Sequence, residues 1–173
     1  YWGKYLVLIN DIDFGNASLT PVAPDTIPGN PEYGFSIFDG IPFTGVFDGN
    51  GHTISHLTIV GEFTLGLFGQ LGSNSQGQSS GEPTCKVTNL AVEDVNIVGS
   101  VISAGALAAY VEWAVVSHSR STGKVSGQDT VGGLVGYNTH SVIDCHSACT
   151  VTGSSDVGGL VGNGNGGSIS NAY

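Results

Sequence analysis

Short runs of β-branched residues alternate with polar ones along most of the chain, as in KVSG at 124–127 and TVTG at 150–153, each stopped within a few positions by Gly, Asn or Ser. No window carries apolar residues at the 3.6-residue spacing of an amphipathic helix, so the pattern predicts short strands and turns throughout. One phrase organises them. VGGLVGYN at 131–138 returns as VGGLVGNG at 157–164, 26 residues on. A degenerate copy, AGALAAY at 104–110, lies 27 residues earlier, and LGLFG at 65–69 is an earlier form still. Each copy belongs to a unit with a β-branched segment: TISHLTI, KVTNLAV, VVSHSRS, VIDCHSA and SISNAY. Taking Ile54, Val87, Val116, Ile143 and Ile169 as equivalent gives steps of 33, 29, 27 and 26 residues.

A unit of that length cannot bury its own apolar face, but stacked units build one continuous core. The expected fold is therefore all-β: a β-solenoid of about five coils, joined by parallel strand pairing and stacked roughly 4.8 Å apart. Gly132, Gly133 and Gly136, with Gly158, Gly159 and Gly162 one coil on, are expected to take backbone conformations at corners where a side chain would clash. A phosphate-binding loop is the weaker reading of these glycines, because neither a helix nor Lys-Ser/Thr follows them. Residues 1–44 form the start: the strand YLVLINDIDF, then a Pro-rich excursion, acting as a partial cap. Residues 45–173 are the repeats, expected to continue beyond 173 because the last unit has no cap. The Gly-, Ser- and Gln-rich stretch at 69–84 is a loop inserted in one coil.

Composition narrows the partners. Four basic against fourteen acidic residues give a formal charge of −10, which disfavours nucleic acid and anionic membrane surfaces. Surface glycans, protein partners or copies of the chain itself fit better. No run is long and apolar enough for membrane insertion of this segment. The three cysteines, Cys85, Cys145 and Cys149, match no zinc spacing. Buried free thiols are the simplest reading, with a Cys145–Cys149 bridge as the alternative.

Candidate chemistry begins with GVFDGNGHTISHL at 45–57. Asp48, His52 and His56 stand four residues apart, but 53–59 reads as strand, which separates the two histidines by about 13 Å and rules out a shared metal. Asp48 and His52 are left as a local hydrogen bond across the turn. The position two residues after each β-branched marker holds His56, Asn89, His118, Cys145 and Asn171, which predicts a structural ladder whose small polar groups satisfy turn backbone. The acidic residues Asp11, Asp13, Asp39 and Asp48 suggest a structural strand-end cluster, with a weak Ca2+ site as the only cofactor or metal worth weighing. Just past the Gly phrase, Tyr110 aligns with Tyr137 and Trp113 with His140. Such rings on neighbouring coils make a ligand-binding platform for sugars, continued by NGNG at 163–166, or else they merely cover the coil edges.

DIDF, FTGVFDGNGHTISHLTI, GLFG and the successive VGGLVG…SISNAY units together resemble the GLUG-repeat regions of secreted bacterial and archaeal surface proteins, found in adhesin-like proteins and beside IgA-specific metallopeptidases. The resemblance covers nearly the whole chain outside 15–40. It implies a right-handed parallel β-helix in a large exported protein, serving as stalk, spacer or binding surface. Peptidase activity does not carry over, because the chain has no His-Glu-x-x-His motif. The expected function is a non-enzymatic extracellular structural or adhesive module of a cell-surface protein. Two alternatives stand beside it: a subunit that assembles into a fibre or sheath through its uncapped end, and a polysaccharide-active β-helix enzyme using Asp48 or its neighbours as acid.

Overall fold

The computed structural model describes residues 3–25, 38, 40–73, 82–99 and 102–173. Most of the Pro-rich excursion, including Asp39, and much of the inserted loop lie outside the described residues. Among the described residues there is no helix, hence none long and apolar enough to cross a membrane. The strands of the described residues fall into four sheets, and every pairing among them is parallel.

Sheet I contains β1 (Tyr5–Val7), β3 (Val46–Asp48), β7 (Cys85–Thr88), β11 (Ala114–Ser117), β15 (Ser141–Ile143) and β19 (Ser168–Ser170), side by side in that order. Sheet II contains β2 (Ile12–Asp13), β4 (Thr53–Ser55), β8 (Ala91–Gly99), β12 (Arg120–Ser126) and β16 (His146–Thr152), with β5 (Thr58–Gly61) also paired to β8. Sheet III contains β9 (Ser103–Gly105), β13 (Thr130–Gly132) and β17 (Val157–Gly158). Sheet IV contains β6 (Phe68–Leu71), β10 (Ala108–Val111), β14 (Val135–Asn138) and β18 (Val161–Asn163). From β7 onward the chain visits sheets I, II, III and IV and returns to I, and each strand pairs with its counterpart in the next circuit. Such parallel sheets of stacked strands are consistent with a β-solenoid.

The repeat register of the Gly phrase is the observed one. Val131 pairs with Val157 and with Ala104, and Val135 with Val161 and Ala108, at offsets of 26 and 27 residues. The second column needs correction. Ile54 lies in sheet II, paired with Ile12 and Val92, while Val87 belongs to sheet I. In the fourth unit Val142, not Ile143, shares a row with Val116 and Ile169. Each circuit has two successive β-branched strands, in sheets I and II, and VIDC offers two adjacent β-branched residues. A side-chain period of two makes such one-residue slips invisible without knowing which face is buried.

Burial supplies that information. Val87, Val116 and Val142 are fully buried along sheet I, and Leu107 and Leu134 along the bend between sheets III and IV. Those bends are bonded as well as packed: Leu107 donates its N–H to Leu134 O at 2.9 Å, and Leu134 to Leu160 O at 2.9 Å. In sheet IV the large Phe68 stands beside the small Ala108, which stands beside Val135, so neighbouring circuits interlock by size. Ala108 of AGALAAY therefore makes room for Phe68.

At the glycines of the repeated phrase other than Gly159 the expected clash with a side chain is found, but the special backbone conformation is not. None of Gly132, Gly133, Gly136, Gly158, Gly159 and Gly162 has a positive φ. Close approach is what Gly132 and Gly136 require. A Cβ on Gly132 would run into the carbonyl oxygen of Val135 and stand 2.7 Å from the nitrogen of Gly162, and one on Gly136 would strike Ser103 Oγ and lie 2.7 Å from Ala109 O. The conformational demand falls instead on Gly123, at φ 118°. There β8 carries two residues, Glu93 and Asp94, opposite the single Thr122 of β12, and Asp94 N–H donates to Thr122 Oγ1 at 2.9 Å across the resulting bulge.

A contrast between two glycines tests this account. Gly132→Ala is expected to destabilise the chain by about 1–3 kcal/mol through overpacking. Gly159→Ala, where nothing lies within 4 Å of the added Cβ, is expected to stay within about 0.5 kcal/mol of the parent. Urea midpoints of the two variants measure the difference.

Candidate functional site

Two lateral surfaces carry the residues singled out above. The first is the corner between sheets I and II. There Gly49, Asn89, His118 and Asp144 donate their backbone N–H groups in turn to Thr88, Ser117, Ile143 and Ser170 oxygens at 2.8, 3.2, 3.0 and 3.0 Å. Asn89, His118, Asp144 and Asn171 all have φ between 48° and 54°. The left-handed region strongly disfavours most side chains but tolerates Asn, Asp and His, which explains why this column is polar.

Of the expected ladder, Asn89, His118 and Asn171 stand in this column, though among the described residues their side chains do not bond turn backbone, and the other two members stand elsewhere. Cys145 sits one residue past the corner, buried, and Asp144 takes its place. His56 belongs to sheet II: at φ 52° it donates its N–H to Glu93 O at 3.0 Å and accepts from Asn16 N–H at 2.7 Å. Asn16, His56 and Asp94 are a second left-handed column, with φ of 65°, 52° and 51°. Sequence spacing merged the two columns because both follow a β-branched strand.

Acid–base pairs join successive circuits along this flank. Asp11 Oδ1 meets His52 Nδ1 at 3.0 Å and Asp13 Oδ1 meets His56 Nδ1 at 2.9 Å. His56 Nε2 faces Asp94 Oδ2 at 3.7 Å, Arg120 bonds Glu93 at 2.9 Å, and His118 Nε2 faces Asp144 Oδ2 at 3.4 Å. The partner of His52 is therefore Asp11 and not Asp48. Asp48 accepts instead from Asn89 Nδ2 at 3.0 Å, Asn50 N–H at 2.8 Å and Tyr5 OH at 3.4 Å. These bonds, led by that of Asn89, hold its carboxyl below the usual range, which disfavours Asp48 as a proton donor near neutral pH. Among the described residues no group of three or more His, Cys, Asp or Glu side chains is placed to hold a metal ion.

The cysteines are free thiols. Burial pushes the Cys85 thiol up to about 12 and also raises that of Cys145, so neither supplies a thiolate nucleophile. The alternative Cys145–Cys149 bridge is not formed: Cys145 points into the corner, donating Sγ–H to Ile143 O at 3.2 Å, while Cys149 lies within β16.

The second surface runs along sheet IV and its bend into sheet I. Tyr110 and Tyr137 are register partners with ring centroids 5.5 Å apart, tilted by 52°. Trp113 and His140 are 4.9 Å apart, also at 52°. All four rings are half-buried, leaving part of each open to solvent. The aligned pairs of the sequence are thus brought together in space. Trp113 has φ 53°, a conformation costly for a bulky side chain. Polar groups flank the rings: Asn165 from the NGNG stretch, and two residues that sequence spacing did not single out, Gln70 and Glu112. Asn165 Nδ2 donates to Tyr137 OH at 2.9 Å, and Gln70, in register with Tyr110, donates to Glu112 Oε2 at 2.9 Å. Gln70 escaped notice because it lies 40 residues before Tyr110, outside the regular step.

The flank pairs have a pH consequence. Asp11 and Asp13 are held below the usual carboxylate range, chiefly by the backbone N–H groups of Thr53 and Gly15 and then by the His52 and His56 side chains. A depressed folded value means stabilisation that is present above the unfolded value of about 3.9 and is lost as pH falls through the folded one. The urea midpoint should therefore fall as the pH drops below about 4, and Asp13→Asn should make that fall shallower. A parallel pH profile in the variant would refute the assignment.

The chain is 36% identical over 96 residues to Halomucin of Haloquadratum walsbyi, a match that covers 54% of this chain and 1% of Halomucin's length. The chain thus spans a very small part of that relative. No family model matches it, and no solved structure does.

Proposed function

We propose that the chain is an extracellular module of a cell-surface protein: a right-handed parallel β-helix of about five coils that works by rigid length and presents its aromatic row to surface glycans. Right-handedness follows the general rule for crossovers between parallel strands. The likeness to Halomucin of Haloquadratum walsbyi supports the location, and the resemblance to GLUG-repeat regions points the same way. A non-enzymatic role accords with the lowered carboxyl of Asp48 and the raised thiols.

The observation that carries the binding reading is the pairing of Tyr110 with Tyr137 and Trp113 with His140 on successive circuits. A pyranose has an apolar face that stacks on an aromatic ring and hydroxyls that need donors and acceptors at its edge. The rings supply the first, while Asn165 and Glu112 supply the second, Glu112 being held in place by buried Gln70. Trp113 adds a further argument, since a left-handed Trp costs of the order of 1–3 kcal/mol that Asn or Gly there would avoid. The chain's charge of −10 favours neutral or cationic sugars over acidic ones.

A glycan array probed with the whole protein tests this. Binding to neutral or amino sugars is expected, reduced at least tenfold by Trp113→Ala and by Tyr137→Ala, an effect of about 1.4 kcal/mol. Circular dichroism should show both variants retaining strand content. Binding unchanged in both folded variants, or no glycan bound by the parent, would remove the aromatic row as a sugar site.

A further inference from the structure

We propose that Asn16 is an N-glycosylation site. The chain has eleven asparagines, and only Asn16, in Asn16-Ala17-Ser18, has Ser or Thr two residues on with no proline between. A bare triplet is common, so the local geometry has to carry the assignment.

That geometry is open. Ala17 N–H donates to Phe14 O at 2.9 Å, closing a turn whose central residues Gly15 and Asn16 have φ of 56° and 65°. Both positive values match the central positions of a type I′ turn. Asn16 and Ser18 are exposed, and no atom lies within 4 Å of a Cβ placed on Gly15. The backbone is anchored, with Asn16 N–H bonded to His56 O at 2.7 Å. Neither the Asn16 amide nor the Ser18 hydroxyl makes a side-chain hydrogen bond among the described residues.

Other asparagines are committed elsewhere. Asn89 bonds Asp48 at 3.0 Å, Asn163 bonds Asp156 at 2.6 Å and Asn165 bonds Tyr137 at 2.9 Å. Asn16 instead combines a free amide, a free hydroxyl two residues on, and room for a large substituent.

The transfer is a substitution at a sugar's anomeric carbon. A lipid-linked oligosaccharide phosphate is the co-substrate. Asn16 Nδ2 forms a bond to C1 of the first sugar, the C1–O bond to phosphate breaks, and the lipid phosphate leaves with the electron pair. One amide proton passes to a base of the transferase, and no atom changes oxidation state. The site rests on the extracellular reading above, since such transfer accompanies export. A glycan there would stand on the sheet II flank. Sheets I and III separate that flank from sheet IV along each circuit, so the aromatic row would stay clear.

The test is the mass of peptide 13–24, released by cleavage before Asp13 and Asp25, from the protein made in its native host. Surface and cytosolic fractions are analysed separately. The expected result is a surface-fraction peptide heavier by whole sugar residues. The increment should vanish in Asn16→Gln and Ser18→Ala and persist in Ser18→Thr. A bare peptide from surface-located protein overturns the site while leaving export intact, and protein confined to the cytosol with a bare peptide overturns both. An increment that survives Asn16→Gln places the sugar on another residue and also overturns the proposal.

Discussion

Everything in this fold depends on backbone hydrogen bonds made between circuits. The strands are two to nine residues long, and none can satisfy its own N–H and C=O groups, so each relies on a strand about one repeat away in sequence. Even the bends obey this rule, as the run from Leu107 to Leu134 to Leu160 shows. The consequence is steric. Circuits held at hydrogen-bonding distance leave no space for a Cβ at Gly132 or Gly136, and the repeated Gly phrase is the imprint of that crowding.

The same spacing organises the surface. From β7 onward the corner recurs with the same backbone angles, so the sheet I–II bend demands a residue tolerant of positive φ in each of these circuits and obtains Asn, His, Asp and Asn. Once polar residues are required there, charge pairing between neighbouring circuits follows at little cost. The pairs Asp11–His52, Asp13–His56, Glu93–Arg120 and His118–Asp144 all cross from one circuit to the next. Exposed pairs of this kind contribute modestly to stability. Their greater effect is on register, since a slip of one residue would separate every one of them.

The bend between sheets IV and I departs from that logic. Trp113 occupies a left-handed position where a small polar residue would be less strained, and its indole rests 4.9 Å from His140. Strain that packing alone does not require is a reason to look for a ligand. The aromatic row and the flank of acidic and histidine residues lie on different sheets.

The repeat period, the parallel stacking it implies and the alignment of Tyr110 with Tyr137 and Trp113 with His140 were all legible in one dimension, because a 26- or 27-residue step converts sequence offset directly into spatial adjacency. The choice of face was not. Whether Val142 or Ile143 points inward, whether Asp144 or Cys145 turns the corner, and that His56 stands in sheet II with Asn16 and Asp94 were decided only when the circuits packed. Likewise, His52 could not be matched to Asp11, 41 residues away, from local spacing. Periodicity is a property of the chain. Side-chain direction and left-handed corners are properties of the core that the stacked circuits share, because a period of two has no preferred phase until one face is buried.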